Sequence, residues 1–162
     1  MPTASELPID TSATSNDMAE AMFGNGITIV SSSYTGAVGA SGIYSNGDAT
    51  APNLTPSDTG VILSTGNAVD VTNSSGDVNT SDATSTGHGN SGDSDLSAVS
   101  GQTTFDAAIF EAEFVPEGSV LTMQVVFSSE EYLEYVNSGF NDAVGIWVNG
   151  VQAELTVGTG DI

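Results

Sequence analysis

A dense group of acidic side chains lies between two apolar runs in the last third of the chain. Glu130, Glu131 and Glu134 fall within five residues of one another, and Asn141 and Asp142 follow them. The chain has 21 Asp and Glu residues but no Lys or Arg, so these carboxylates repel one another unless solvent or a bound cation separates them. Oxygen-only ligands select hard cations such as Ca²⁺. The sequence therefore predicts a calcium site here, and the alternative is a solvated rim of charges at a strand end.

Further oxygen donors lie upstream of this group. Asp77 with Asn79, and Asp93 with Asp95, alternate along the chain as ligands do in calcium loops. Neither pair is followed by the Gly and Glu that complete an EF-hand loop, so the motif is weak. The complete set of predicted metal ligands is Asp77, Asn79, Asp93, Asp95, Asp106, Glu130, Glu131, Asn141 and Asp142.

Enzyme chemistry finds little support among the same residues. We expect His88, which lies between two glycines, to be an exposed loop side chain rather than a catalytic base. No Gly-x-Ser-x-Gly motif is present, and Glu130 and Glu131 point to opposite faces if they lie on a strand, so they would not flank one glycosidic bond. Trp147 is either part of a core or a platform for stacking a sugar, and we favour the core. The sequence predicts a protein that is not an enzyme; a carbohydrate-binding module is the first alternative and a hydrolase a remote one.

Short strands are the elements that must position these side chains. Apolar runs at 27–30 and 61–63 predict strands, and alternation predicts longer ones over 105–114 and 121–127. Asn149-Gly150, between 143–148 and 151–157, is typical of a type I′ hairpin. Asn16 or Asp17 can cap one short N-terminal helix that carries Met18 to Phe23. We therefore expect a mostly β protein, an antiparallel β-sandwich of jelly-roll type, with one short N-terminal helix and a long polar loop over 67–100.

The net charge of −21 excludes several classes of partner. Nucleic acids and anionic lipid headgroups would be repelled, and no apolar run is long enough for membrane insertion. The chain has no Cys, which excludes disulfides and thiolate sites. Its N-terminus lacks the basic and apolar regions of a signal peptide, so we expect export by another route.

A set of short motifs is spread over most of the chain, at 18–24, 34–36, 60–66, 106–116 and 126–132, followed by Phe140-Asn141-Asp142. These motifs resemble the choice-of-anchor L domain of secreted bacterial proteins, and the resemblance extends from about 17 to 148. The resemblance implies an extracellular or cell-surface location. An acidic chain without an N-terminal signal peptide is similar to the acidic proteins that are exported by type I secretion. We interpret 1–16 as an N-terminal extension and 17–162 as the domain, which we expect to continue beyond Ile162.

Together these features predict a calcium-stabilised extracellular module of the bacterial surface or matrix that acts in adhesion or self-assembly. Its predicted partners are further copies of itself, in an oligomer or filament, or surface glycans. Strand edges are often protected by Lys, which this chain lacks. The strand predicted over 151–157 is therefore the candidate edge for association at high salt or calcium.

Overall fold

Antiparallel strands are the main elements of the structure, a computed structural model that describes residues 6–52, 54–72, 86–129, 135, 137–139 and 142–154. In chain order the elements are β1 (Ile9–Asp10), α1 (Ser15–Met22), β2 (Ile27–Thr35), β3 (Ser41–Tyr44), α2 (Gly47–Thr50), β4 (Gly60–Leu63), a 3₁₀ turn (Ala68–Val71), α3 (Ser94–Ser100), β5 (Ile109–Pro116), β6 (Trp147–Val148) and β7 (Val151–Gln152).

The strands form three antiparallel groups within the described residues. One sheet has the order β1-β3-β4, a second pairs β2 with β5, and β6 with β7 is a hairpin. The ladder between β2 and β5 shifts register between Ile29 and Ser31, as at a β-bulge. The mostly β, antiparallel class is thus confirmed, whereas the packing of two sheets as a jelly-roll sandwich stays a prediction.

Helix α1 connects the two larger sheets. It contacts β2 of one sheet and both β3 and β4 of the other. Met18 and Ala19 are buried on the helix, and the ring of Phe23, just after it, lies 4.8 Å from the ring of Phe114 on β5. Burial of this apolar stripe, rather than the intrinsic stability of an eight-residue helix, holds α1 in place.

The start of α1 differs from the sequence prediction. Thr14, and not Asn16 or Asp17, is the N-cap: its side chain accepts a hydrogen bond from the Asp17 backbone N–H, and the Asp17 carboxylate accepts one from the Thr14 backbone. This reciprocal capping box satisfies two donors that a helix leaves unpaired at its N-terminus. Helices α2 and α3 were not predicted, so the expectation of one short helix was incomplete.

A small apolar cluster anchors the first sheet. Leu7, Tyr44 and Ala51 are buried together, and the partly buried side chains packed against them are Ile9, Leu54, Ile62 and Val71. The Leu7 backbone N–H also donates to the Thr72 hydroxyl over 2.7 Å. Residues 7–10, which we assigned to an N-terminal extension, therefore pack against β3 and contribute to the core.

Strand predictions from the sequence had mixed success. In β5 the alternation is as expected, with Phe110, Ala112 and Phe114 partly buried and the two glutamates between them exposed. The Asn149-Gly150 turn has φ values of 51° and 76°, so the predicted type I′ hairpin is confirmed over its first residue pairs. The predicted strand over 121–127, by contrast, takes part in none of the strand pairings of the described chain.

Candidate functional site

Asp106 lies near the end of the long connection between β4 and β5 and binds back to residues earlier in it. Its carboxylate accepts hydrogen bonds from the backbone N–H of Asn90 at 2.6 Å and of His88 at 3.0 Å. Its own backbone N–H donates back to the Asn90 carbonyl over 3.1 Å. Gly89, at φ 73°, lets successive N–H groups converge as a nest for an anion, and Asp106 itself has φ 49°. The anion held in this nest is the protein's own carboxylate.

Thr104 forms a second set of hydrogen bonds within the same connection, to Asp93. Its hydroxyl accepts from the Asp93 backbone N–H and donates to the Asp93 carbonyl, both over 2.9 Å. The Ser97 hydroxyl lies 2.8 Å from it, and Ser91 forms an isolated bridge with Phe105. Residues 88–107 therefore form one locally closed piece, called here the 88–107 unit. Where residues 67–100 are described, the prediction of one long polar loop is therefore wrong in part, because they include the 3₁₀ turn and α3.

Asp93 has a structural role inside the unit. One of its carboxylate oxygens, Oδ1, accepts from the backbone N–H groups of Asp95 at 2.9 Å and Leu96 at 2.8 Å, which makes Asp93 the N-cap of α3. Asp95 lies exposed in the first turn of the helix, where the helix dipole favours a negative charge. The alternation of Asp93 and Asp95, interpreted from the sequence as a calcium-loop pattern, is here the start of a helix.

The predicted metal ligands do not converge within the part of the chain that the structure describes. Asp93, Asp95 and Asp106 belong to the 88–107 unit, and Asp142 is exposed near the β6–β7 hairpin. Asp77, Asn79, Glu130, Glu131 and Asn141 lie outside the described residues. Among the described residues, no three His, Cys, Asp or Glu side chains are grouped so that they could hold a metal ion.

His88 is not the exposed loop side chain that the sequence suggested. It is partly buried, and its Nε2 atom is buried with no hydrogen-bond partner among the described residues. Its backbone N–H, rather than its imidazole, contributes to the nest for Asp106. The two flanking glycines indicated a turn but gave no sign that the ring between them would be covered.

Trp147 is also partly buried, and its ring lies against Gly145 so closely that a Cβ there would collide with it. That Cβ would also come within 3.1 Å of Leu96 in α3. The covered ring favours a packing role over a sugar-stacking platform.

The nest lowers the pKa of Asp106 below its ordinary value of 3.8, and the backbone hydrogen bond from Asn90 is the largest cause. Desolvation opposes this effect, whereas the backbone N–H groups of His88 and Gly89 lower the pKa further. A lowered pKa in the folded state contributes stability above the unfolded pKa, and this stability is lost as the pH falls through the folded pKa. We therefore expect Asp106→Asn, which tolerates the positive φ, to be less stable than the wild type at neutral pH, with a difference that narrows in acid.

Melting temperatures across a pH series check this prediction. Asp95→Asn, which removes a charge from the same unit without touching the nest, is the matched control. A difference between Asp106→Asn and the wild type that stays constant from neutral pH to below 3.8 would contradict it.

Comparison with known families gives one match. The family model described as the Choice-of-anchor L domain matches residues 7–159, and this confirms the resemblance found in the sequence runs. Comparisons with curated proteins and with solved structures find no match. None of the helices among the described residues has the length and apolar character needed to cross a membrane.

Proposed function

Because the chain belongs to the choice-of-anchor L family, whose domains are associated with bacterial surfaces, we propose that it is a non-enzymatic module of the cell surface or extracellular matrix. In this proposal calcium stabilises the module, and the module acts in adhesion or self-assembly. Family membership supports the extracellular or surface location.

The observation that carries the calcium proposal is the balance of charges. Twenty-one acidic side chains face no Lys or Arg, so no carboxylate can be neutralised by a basic side chain other than His88. Net charge this far from zero destabilises a compact state through self-repulsion. A divalent cation that binds several carboxylates of the folded chain relieves that repulsion more effectively than diffuse screening does.

The hydrogen bonds of the described carboxylates rank the candidate ligands. Both oxygens of Asp106 accept backbone N–H groups, and Oδ1 of Asp93 accepts two, so a cation there would compete with bonds already made. Asp142 is exposed and follows the acidic run over 130–134 in the sequence. We therefore place the proposed calcium site at the 130–142 segment, with Asp142 as a ligand, rather than in the 88–107 unit.

Calcium should raise the melting temperature of the protein. Binding to the native state alone adds RT ln(1 + [L]/Kd), about 2.7 kcal/mol at a hundredfold excess over Kd. Thermal melts in chelator and in calcium, at one fixed ionic strength, measure the effect. We expect Asp142→Ala to lose the calcium-specific rise and Asp58→Ala, an exposed aspartate near β4, to keep it.

The control for this experiment is added sodium chloride. If sodium chloride raises the melting temperature as much as calcium does at equal ionic strength, the effect is general screening. Equal melting temperatures in chelator and in calcium would remove the calcium site from the proposal.

Self-assembly is the part of the proposal that salt should control. At low ionic strength the acidic copies repel one another, whereas at seawater-like ionic strength the Debye length falls to roughly 4 Å. Among the described residues, β2 and β5 pair with each other and with no further strand, so each has an outer edge outside that ladder. Such edges are templates for pairing with another chain. We therefore expect copies of the chain to associate more strongly as the concentration of salt or calcium rises, which light scattering measures.

A further inference from the structure

Residues 120–128 form an exposed apolar segment that follows the turn after β5. Val120 is 81% exposed and Phe127 55%, and every residue between them is exposed as well. Leu121, Met123, Val125 and Phe127 are spaced two residues apart, so that they share one face of an extended chain, and Thr122, Gln124 and Val126 lie on the other. Single exposed apolar residues are ordinary in proteins, but a contiguous run of this length marks an interaction surface.

The segment differs from the rest of the chain in its charge. Residues 118–129 contain no acidic side chain, although the whole sequence carries 21 of them. It also contains no Pro and is rich in residues that favour strands. An uncharged, apolar, β-favouring run is the type of segment through which identical chains pair.

From these observations we propose that residues 120–128 pair with the same residues of a second copy of this chain, antiparallel about a two-fold axis at Gln124. This inference rests on the self-assembly part of the proposed function and names its interface. In that register Leu121 lies opposite Phe127 and Met123 opposite Val125, each twice. On the face that carries Leu121, Met123, Val125 and Phe127, every apolar side chain of each copy then meets an apolar partner, and cross-strand pairs of this kind stabilise a sheet.

Charge selects a second copy over other partners. A basic partner would be drawn to the acidic faces of the domain and not to its uncharged segment, and an anionic membrane is repelled by the net charge of −21. Two copies can meet at 120–128 without placing carboxylates opposite one another along the paired strands. The acidic residues that precede and follow the segment in the sequence meet only at its two ends, which makes the pairing dependent on salt.

A cysteine at the two-fold position tests the register directly. The chain has no Cys, so a disulfide in Gln124→Cys can only join two copies. Residues directly opposite in an antiparallel pair have Cα atoms about 4.5–5.5 Å apart, within reach of a disulfide. At high salt we expect Gln124→Cys to form a covalent dimer much faster than Val38→Cys, whose position in the turn before β3 is 99% exposed.

A charge placed in the segment should remove the association. We expect the wild type to form a dimer at high salt in light scattering, Val125→Glu to lose it, and Val38→Glu, with the same change of charge at an exposed valine, to keep it. Val151→Glu probes the rival edge at β7, which is 69% exposed at that residue. Because residue 125 is itself exposed, circular dichroism should show the same folded signal for all three variants.

The outcomes separate this inference from the proposal on which it rests. A wild type that stays monomeric at every salt and calcium concentration would overturn both. A wild type that associates, together with Gln124→Cys that cross-links no faster than Val38→Cys, would overturn the 120–128 interface and leave self-assembly standing. Loss of the dimer in Val151→Glu but not in Val125→Glu would assign the interface to β7 instead.

Discussion

Met18→Ala is expected to lower the free energy of unfolding by roughly 2–5 kcal/mol, the range for truncating a buried Met. Met18 is 1% exposed and is the largest fully buried side chain among the described residues. It lies on α1, which contacts strands of both larger sheets, so the cavity would open where the two sheets meet the helix. The free energy of unfolding of a whole domain is about 5–15 kcal/mol, so this single change removes a large part of the stability.

Denaturant unfolding followed by circular dichroism measures the effect. The control is Val38→Ala, since Val38 is 99% exposed and lies outside the 120–128 segment, so its truncation removes apolar atoms that are already in water. We expect the control to stay within about 0.5 kcal/mol of the wild type. Equal losses in the two variants would mean that α1 does not organise the core.

The sequence predicts the short helix that carries Met18 for a clear physical reason. Met18, Ala19 and Met22 recur at helical spacing behind possible capping residues. Alternation likewise predicts β5, and the Asn149-Gly150 dipeptide predicts its turn. Features that depend on neighbours along the chain are therefore visible in the sequence. The capping residue was misplaced by two or three positions because Thr14, Asn16 and Asp17 are all favourable caps, and only the packing of α1 decides among them.

Strand β3 shows what local patterns cannot reveal. The sequence patterns predict no strand over residues 41–44. In the structure, a Cβ at Gly42 of this strand would lie 2.8 Å from the Asp10 carbonyl oxygen and from Ile9 Cγ2. The glycine is thus required by the close approach of β1, from more than thirty positions earlier in the sequence. A contact of this kind leaves no periodic signal, since it depends on a strand far away in the chain.

The candidate site was predicted in its residue types but not in their roles. Asp93 and Asp106 were identified as oxygen ligands suited to a cation, and in the structure the carboxylate oxygens of both accept hydrogen bonds. Their partners, however, are backbone N–H groups brought close by Gly89 and by the start of α3. A carboxylate in a sequence looks the same whether its positive partner is an ion or a peptide dipole, so the distinction needs the fold.

Gly92→Ala is expected to open the 88–107 unit. A Cβ at Gly92 would collide with the backbone carbonyl of Thr104, and backbone atoms cannot move aside as a flexible side chain can. Relieving the overlap must separate 91–93 from 104–105, which breaks the hydrogen bonds between Asp93 and Thr104 and the bridge from Ser91 to Phe105. Forcing a methyl group into such a contact typically costs about 1–3 kcal/mol.

Gly87→Ala is the matched control for this variant, because a Cβ at Gly87 meets nothing within 4 Å. We expect Gly92→Ala to melt well below both the wild type and Gly87→Ala, and equal melting temperatures for the two variants would contradict the closed unit. Repeating the melts in calcium tests where the proposed calcium site lies. If the ion binds at the 130–142 segment, as proposed, calcium still raises the melting temperature of Gly92→Ala. If Asp93 and Asp106 hold the ion, opening the unit separates them and calcium no longer raises the melting temperature.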